Sequence, residues 1–330
     1  MKILITAGLS GKDVGGPAQY GPRLKDAFVE LGHEVRLIAY GFEKKLPIGL
    51  RHICFFFKIL PSVLWANKII ALDTFSVGVP AVMASRLIGR KIVIRIGGDF
   101  LWEAYTHRTS DMIPLTKFNT SMPKINLKEK IILLFTKYLT RNADVLSFNS
   151  AWQKNIWEKS YKIDPKRTAT IRNYIPAKEV GEEPTLKAFV WAGRETPLKN
   201  LIMLRKVIER VKQTHSDVRL DLTMNEPRAV VLDKFKKSYA VMLPSVSDVS
   251  PNVILEGASY GKPFIVTKET SIAEILPRGG IFIDPLDEHD LERAILEMLK
   301  PESYNKYKAE VESEYKPRSW KEVSTEFLNA

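Results

Sequence analysis

The sequence predicts an α/β protein of two doubly wound halves, each with a parallel sheet, and three observations carry this prediction. Short apolar segments alternate with helix-like segments along most of the 330 residues. The alternation stops at the polar stretch 176–185 and then starts again. The apolar segments are continuous, which is typical of parallel strands covered by helices on both faces.

The first half alternates regularly. We expect strands at 2–7, 33–40, 68–73, 91–96, 144–149 and 168–173, and helices at 17–31, 76–89, 126–143 and 151–161. Gly32 and Gly89 follow two of these helices, where a left-handed glycine commonly ends a helix. Asn126 and Glu129 have the spacing of a capping box at the start of a third. The segment FFFKILPSVLWA (55–66) reads as a short apolar helix or an irregular segment.

The polar stretch PAKEVGEEPT (176–185) holds two prolines, a glycine and three glutamates, so it has little to bury and predicts a linker. After it we expect strands at 188–193, 218–224, 239–245, 263–267 and 280–285, with helices at 199–213, 251–260 and 288–300. The predicted organisation is an N-terminal domain (1–175), a linker (176–187), a second domain (188–310) and a C-terminal segment (311–330).

Composition excludes several classes of protein. Hydrophobic residues make up 45% and charged residues 27%, so the chain is neither disordered nor collagenous nor a disulfide-stapled mini-protein. The single cysteine, Cys54, favours a reducing compartment and excludes a cysteine zinc cluster. No apolar run reaches the roughly 18 residues of a membrane span. The N-terminus, MKILITAGLSG, predicts a buried strand rather than a secretory signal.

Positive charge is concentrated in the first half of the sequence. Residues 1–172 hold 27 Lys and Arg against 13 Asp and Glu, and the remaining residues hold 23 against 25. A net charge of +14 in one half attracts anions such as nucleic acid, an anionic membrane surface or a phosphorylated substrate. It also fits an ordinary solvated surface, and charge alone does not choose between these.

Two loops that follow strands have the composition of anion sites. Gly15 and Gly16 stand directly before a predicted helix, whose N-terminal amides favour an anion, although a plain turn explains them equally. In the second half, Arg194 and Lys199 flank a strand-to-helix turn, and an arginine fork with a lysine suits a diphosphate. The alternative is a pair of surface cations. The dinucleotide-binding and P-loop patterns are missing from the first loop.

A third loop, LPSVSDVSPNVILEGASYGKPFIVT, contains two acids at the start of a predicted helix. Ser250 is expected to be the N-cap, with Pro251 at the first helical position. Asp248 precedes the cap and suits sugar hydroxyls, or acts as a capping aspartate. Glu256, one turn beyond Asn252, suits a ribose diol, or belongs to a surface ion pair.

These stretches resemble the retaining GT-B glycosyltransferases of family 4 (glycosyl transferases group 1), which transfer a sugar from a nucleotide-sugar donor. The segments that carry the resemblance are GGPAQYGPRLKDAFVELGHEV, AGRETPLKN and DVSPNVILEGASYGKPFIVT. The resemblance extends over nearly the whole chain. It implies a GT-B architecture of two Rossmann-like domains facing across a cleft, with the last segment packed back on the first domain.

The resemblance also implies roles for individual residues. Arg194 and Lys199 are the catalytic cations, which bind the donor diphosphate and stabilise it as it leaves. Glu256 holds the ribose, and Asp248, where the family usually has glutamate, faces the donor sugar. The remaining implied donor contacts are Gly15, Gly16, Ser250, Asn252 and Val253. No metal or other cofactor is expected, since family members of this type need none and the chain has no Asp-x-Asp.

The sequence departs from the family where a histidine usually follows the strand ending in RI, because RIGGDFLWE stands there. Asp99 and Glu103 are therefore candidates for contacting the acceptor or the donor sugar, and Asp99 equally fits a helix cap. The span between the helix at 199–213 and the strand at 239–245 is shorter than usual, in a region that often frames the nucleotide base.

The function expected from the resemblance is transfer of a sugar, with retention at the anomeric carbon, to a glycan or lipid-linked acceptor. This places the protein in glycan or lipopolysaccharide biosynthesis, in the cytoplasm, with peripheral binding to an anionic membrane as a further expectation. The alternatives are a sugar-nucleotide epimerase or hydrolase on the same fold, a catalytically silent partner subunit, and a nucleic-acid-binding protein. The last is disfavoured because no zinc pattern or aromatic-rich RNA motif is present.

Overall fold

The computed structural model describes residues 1–9 and 16–330 of the chain and divides them into two compact units. The first unit comprises Met1–Tyr105, Met122–Asn173 and Ser319–Ala330. The second unit comprises Thr106–Ser121 and Tyr174–Arg318. Each unit contains one fully parallel sheet with its own apolar core, as the sequence predicts.

The first unit is built on a six-stranded sheet with the order β2-β1-β3-β4-β5-β6. Its strands are β1 (Lys2–Ala7), β2 (Glu34–Ala39), β3 (Lys68–Ala71), β4 (Lys91–Ile96), β5 (Val145–Phe148) and β6 (Thr168–Thr170). The register pairs Ile3 with Val35 on one side and with Lys68 on the other. The strand order reverses between β1 and β3, and in open sheets of this kind ligands bind outside the carboxyl ends of the strands at such a point.

Helices cover both faces of the first sheet. They are α1 (Gly16–Glu30), α2 (Leu50–Trp65), α3 (Gly78–Ile88), α4 (Phe100–Thr109, in this unit up to Tyr105), α6 (Leu127–Asn142), α7 (Ala151–Tyr161) and α13 (Trp320–Asn329). On one face, α2, α3, α6 and α7 bury apolar side chains in a common core. On the other face, α1 packs against α13, and the ring of Tyr20 meets Trp320 edge to face at 4.9 Å.

Local signals in the sequence account for several helix ends. Asn126 and Glu129 form the expected capping box of α6: the Asn126 side chain accepts from the Glu129 amide at 2.9 Å, and Glu129 accepts from the Asn126 amide at 2.8 Å. Gly89 takes the left-handed conformation after α3, with φ of 73°. The ambiguous apolar segment at 55–66 is helical, since it lies within α2 apart from its last residue.

The second unit contains a five-stranded sheet with the order β11-β10-β9-β7-β8. Its strands are β7 (Lys187–Ala192), β8 (Val218–Thr223), β9 (Ala240–Leu243), β10 (Phe264–Thr267) and β11 (Gly280–Ile283). Its helices are α5 (Leu115–Thr120), α8 (Leu201–Lys212), α9 (Arg228–Lys237), α10 (Asn252–Ser259), α11 (Glu288–Met298) and α12 (Pro301–Glu314). The order reverses between β7 and β9.

The units differ from the predicted domain boundaries in three places. Residues 106–121 belong to the second unit, although the sequence places them inside the domain 1–175. The predicted linker is also part of the second unit, because the Glu179 amide bonds the Ser259 carbonyl at 2.8 Å and the Glu182 amide bonds the Lys236 carbonyl at 2.9 Å. The C-terminal segment divides at Ser319, so that 311–318 lie in the second unit and α13 in the first.

Two further findings concern the helices. The sequence prediction omitted the helices α4, α5, α9, α12 and α13. In the first four, the apolar residues are too few or too irregularly spaced to give a clear helical period. Within residues 1–9 and 16–330, none of the helices is long and apolar enough to cross a membrane.

Candidate donor site

The loops that carry Lys199 and Asp248 lie at the switch point of the second sheet. β7 and β9 are neighbours in that sheet, so their carboxyl ends meet at one edge. The chain leaves β7 toward β8 on one side and returns through β9 on the other. The crevice between the two outgoing loops is where open α/β sheets of this kind bind ligands.

The loop after β7 is shaped by a short helical turn and one left-handed residue. Residues Pro197–Lys199 form a 3-10 turn, and Asn200 follows with φ of 54°. The Asn200 side chain is buried and donates to the Pro285 carbonyl at 2.7 Å, which holds the loop against the end of β11. Asparagine tolerates this backbone conformation better than most residues, and the turn presents Lys199 at the edge of the sheet.

Backbone bonds bring the loop after β9 beside this turn. The Val246 amide donates to the Leu198 carbonyl at 2.9 Å, and the Asp248 amide donates to the Glu269 carbonyl at 2.9 Å. Asp248 is thereby fixed between the loops that follow β7 and β10. Lys199 Nζ lies 2.7 Å from Asp248 Oδ2, and both side chains stay partly accessible, at 28% and 17%. Two of the residues predicted to bind the donor therefore touch each other.

Arg194, the second predicted cation, extends from the same loop. Its side chain is exposed and forms no ion pair with any residue that the structure describes. Lys199, by contrast, is already held by a carboxylate. The loop thus combines one cation fixed by Asp248 with one that remains available to an anion.

The cap expected at Ser250 is wrong. Pro251 occupies the N-cap position of α10, and the helix begins at Asn252. Ser250 lies before the cap, where its amide donates to Asp248 Oδ1 at 3.3 Å and its carbonyl accepts from the Asn252 amide at 2.9 Å. The preference of serine for capping is overridden because Pro251 already terminates the turn and Asp248 accepts the Ser250 amide. Val253 lies in the first turn of α10, half-buried beside the exposed Asn252.

Glu256 pairs with an arginine from a helix that the sequence prediction omitted. Arg228, the first residue of α9, places NH1 2.7 Å from Glu256 Oε1. The Glu256 side chain is only 14% exposed, whereas that of Arg228 is 66% exposed. This contact agrees with the ion-pair interpretation of Glu256 and supplies a second arginine near the start of α10.

A segment from the first half of the sequence also borders this edge. The Leu115 amide at the start of α5 donates to Ser247 Oγ at 2.9 Å, and Thr116 Oγ1 donates to Glu269 Oε1 at 2.7 Å. Leu115 and Phe118 are fully buried, and the segment belongs to the second unit. Residues 106–121 have no strand pattern that would tie them to either sheet, so their placement could not be predicted.

The predicted residues of the first unit take mainly structural positions. Asp99 is almost fully buried and accepts from the Leu101 and Trp102 amides at 3.1 Å, so its carboxylate caps the start of α4. Glu103, in the first turn of α4, places Oε1 against Gly98. Gly16 is the first residue of α1, and Gly15 lies outside the described residues.

Asp73 is a further acid at the switch point of the first sheet, and the sequence prediction overlooked it. It follows β3 and accepts from the Val77 and Gly78 amides at 2.9 and 3.4 Å. Its second carboxylate oxygen lies 2.6 Å from the position that a Cβ on Gly8 would take, which is too close for a side chain and explains the glycine after β1. Burial raises the pKa of Asp73, although the backbone amides act in the opposite direction. An acid next to two glycine-rich loops at a switch point is the signal that could have found it.

Among the described residues, no group of three or more His, Cys, Asp or Glu side chains is arranged to hold a metal ion. The charged groups that the structure does bring together after β7 and β9 are a lysine and an aspartate, Lys199 and Asp248.

Comparison with known proteins identifies similarity to glycosyltransferases. Residues 228–301 match the family model for glycosyl transferases group 1. An uncharacterized glycosyltransferase of Methanocaldococcus jannaschii is 23% identical in an alignment of 275 positions that covers 74% of this chain and 78% of that protein. The chain is thus similar to group 1 glycosyltransferases at 228–301 and to a glycosyltransferase over most of its length.

Solved structures agree on the fold. Sucrose-phosphate synthase from Thermosynechococcus elongatus matches with a TM-score of 0.71 at 13% identity, covering 99% of this chain and 97% of that one. HepE from Anabaena, in complex with UDP-glucose, matches with a TM-score of 0.69 at 15% identity, covering 100% and 99%. The architecture is therefore GT-B, with two parallel-sheet α/β domains.

The family match includes Arg228, Asp248 and Glu256 but not Arg194 or Lys199. The matched range thus contains both predicted acids of the donor site. The two cations come from the preceding loop, which the fold places beside them.

Proposed function

We propose that this glycosyltransferase moves a sugar from a nucleotide-diphosphate sugar to a glycan or lipid-linked acceptor, with retention at the anomeric carbon. The observation that supports the donor site best is the contact of Lys199 with Asp248 at the switch point of the second sheet. The solved HepE structure, which has the same fold, contains UDP-glucose. A uridine nucleotide is therefore the first donor to test.

In this proposal the main catalytic effect is stabilisation of the departing diphosphate. Negative charge develops on its oxygens as the bond to the sugar breaks, and preorganised cations lower the free energy of that state. Arg194 and Lys199 supply the cations. Asp248 orients Lys199 and offers a carboxylate to the sugar hydroxyls. Glu256 accepts hydrogen bonds from the ribose diol and shares its carboxylate with Arg228.

Retention follows if the acceptor attacks from the face that the diphosphate leaves. The acceptor proton then passes to a phosphate oxygen of the leaving group, so no protein side chain need act as the base. The bond to the anomeric carbon breaks as the bond from the acceptor oxygen forms. Because the lysine and arginine offset the diphosphate charge, we propose that the reaction needs no metal.

Donor binding is tested with a thermal-shift panel of UDP, GDP, ADP and the corresponding sugar nucleotides, since a ligand that binds the folded chain raises its melting temperature by mass action. We expect one nucleotide series to stabilise the wild-type chain and Lys199→Ala to lose most of that effect. Absence of a shift with every nucleotide would contradict the proposal.

Transfer is tested with the donor so identified and a set of candidate glycans and lipid-linked sugars, with the anomeric configuration of the product read by NMR. A product of inverted configuration would overturn retention. If water is the only acceptor, or if the donor is merely epimerised, the chain is a hydrolase or epimerase. Chelation with EDTA should leave the rate unchanged.

We also propose a cellular compartment for the reaction. Nucleotide sugars and a single unpaired Cys54 both fit a reducing compartment, so we place the reaction in the cytoplasm.

A further inference from the structure

The outer surface of three neighbouring helices of the first unit is unusually apolar. α2 packs against α3, and α3 packs against α6, so the three form one layer on the same face of the first sheet. Six large apolar side chains on this layer are each more than half exposed. They are Ile53, Phe57, Leu64, Leu87, Leu127 and Leu134, and we call them the apolar face.

The positions of these side chains follow the helical period. On α2, Ile53, Phe57 and Leu64 recur at spacings of four and seven, directly opposite the buried residues Phe55 and Ile59. On α6, Leu127 and Leu134 are one heptad apart, and the fully or nearly buried residues lie on the other side of the helix. Both α2 and α6 therefore carry apolar residues toward solvent as well as toward the core, whereas a surface helix normally turns polar residues outward.

Charge on the same layer has one sign. Within α2, α3 and α6 the sequence has seven Lys and Arg but a single acid, Glu129. Glu129 is buried in the capping box of α6 and does not reach the surface. Lys130, Lys137 and Arg141 flank the leucines of α6, are exposed, and form no ion pair within the described part of the chain.

We propose that the apolar face docks on the surface of an anionic lipid bilayer. Apolar side chains that enter the boundary between headgroups and acyl chains, flanked by Lys and Arg that meet anionic headgroups, are the pattern of interfacial membrane helices. The proposal rests on the first unit alone and does not depend on the donor site. It would bring the chain to a membrane, where a lipid-linked acceptor resides.

A second copy of the chain fits this surface poorly. A twofold interface would set the same cations against each other without any exposed acid from these helices to compensate. An anionic bilayer offers the opposite charge and an apolar phase together, which is what the layer needs to cover both kinds of residue.

The test is co-sedimentation of the full chain with vesicles. Equimolar phosphatidylcholine and phosphatidylglycerol is compared with phosphatidylcholine alone, at about 0.05 M and about 0.5 M NaCl. We expect binding to the anionic vesicles at low salt and substantial release at high salt. The double variant Phe57→Ser/Leu134→Ser should bind about tenfold more weakly, because both side chains lose their apolar contact with lipid. The double variant Lys130→Glu/Lys137→Glu should abolish the part of vesicle binding that depends on salt.

The matched control is Val29→Ser, which removes an exposed apolar side chain from α1 on the opposite face of the same sheet and should leave binding unchanged. Melting temperature and the nucleotide thermal shift verify that each variant folds and keeps its donor site, so a failure of donor binding is recognised separately. Wild-type chain that stays in the supernatant, or apolar-face variants that bind like wild type, would overturn the proposal. So would sedimentation velocity showing that these variants only dissociate a dimer.

Discussion

Lys199 Nζ and Asp248 Oδ2 lie 2.7 Å apart, although 49 positions separate the two residues in the chain. The contact exists because β7 and β9 are neighbours, so that the loops leaving them run side by side. The Val246 amide bonded to the Leu198 carbonyl fixes the two loops in this register. A lysine held in this way is oriented before any ligand arrives, which reduces the ordering cost of binding.

Replacing Lys199 by alanine should lower kcat by about a hundredfold to a thousandfold, since losing one preorganised donor to a developing anion costs roughly 3–4 kcal/mol of barrier. Steady-state rates with the identified donor measure this effect. Lys206→Ala, which removes a lysine paired with Glu288 on the exposed side of α8, is the control and should be nearly wild type. A Lys199 variant with normal turnover would remove this residue from the mechanism.

Asp248→Asn should affect turnover less in the Lys199→Ala background than in the wild type, because each side chain acts partly through the other. A double-mutant cycle on kcat/KM measures the coupling, which we expect to exceed about 0.5 kcal/mol for groups in contact. Strict additivity would mean that the two residues serve the reaction independently.

Glu256→Gln should weaken donor binding more than it slows transfer. A hydrogen bond to a charged group contributes about 1.5–3 kcal/mol, so the Kd of the donor should rise about tenfold to a hundredfold. Titration calorimetry with the nucleotide gives this number. Glu209→Gln, at an exposed position of α8 paired with Lys212, is the matched control. An unchanged Kd would mean that Glu256 pairs with Arg228 and does not contact the donor.

Ser247→Ala should loosen the segment 106–121 without unfolding the second unit. The substitution leaves the buried Leu115 amide without its acceptor, which costs about 1–3 kcal/mol. Hydrogen exchange resolved by peptide should rise in 106–121 more than in β7 or β9. The control, Ser160→Ala, removes a hydroxyl that bonds the Ile156 carbonyl within α7. Uniform exchange in both variants would show that α5 is held by other contacts.

Lys262 should make stability rise with pH under alkaline conditions. It lies beside a cavity of about 510 Å³, is 3% exposed, and donates to the Glu182 carbonyl. Burial, with a smaller contribution from Lys308, lowers its pKa from 10.5 to about 8. Between these two values the unfolded chain holds a proton that the folded chain has released, so the free energy of unfolding increases with pH.

The measurement is urea unfolding of wild type and Lys262→Met across that window. The free energy of unfolding of wild type should increase relative to that of Lys262→Met by at most about 3 kcal/mol as the pH rises from about 8 to about 10.5. The control is Lys237→Met, because the Asp233 carboxylate raises the pKa of Lys237 and its contribution has the opposite sign. A pH-independent difference would mean that Lys262 is charged in the folded chain.

The strands and the long helices follow from the sequence because their signals are local. Apolar β-branched runs define the strands, and the capping box at Asn126 and Glu129 fixes the start of α6 to the residue. The loops after β7 and β9 could also be singled out, since topology alone places ligands there. The GT-B fold predicted from the sequence is confirmed, and the matches to glycosyltransferases agree with the predicted activity.

The features that could not be predicted from the sequence depend on contacts between distant segments. The partner of Glu256 is Arg228, which belongs to a helix too weakly patterned to predict. Ser250 has the right residue type for a cap, yet the Asp248 carboxylate, fixed by the loop after β10, accepts its amide. Residues 106–121 join the second unit, where Leu115 bonds Ser247 and Thr116 bonds Glu269, and nothing in their local pattern specifies this unit.

The insertion of 106–121 into the second unit restricts how the gene can be cut and recombined. The chain passes from one unit to the other four times, at residues 105, 121, 173 and 318. A chimera joined at the apparent midpoint would pair Ser247 and Glu269 with a foreign helix in place of α5. Swapping donor specificity between relatives therefore requires transplanting this short piece along with the C-terminal half.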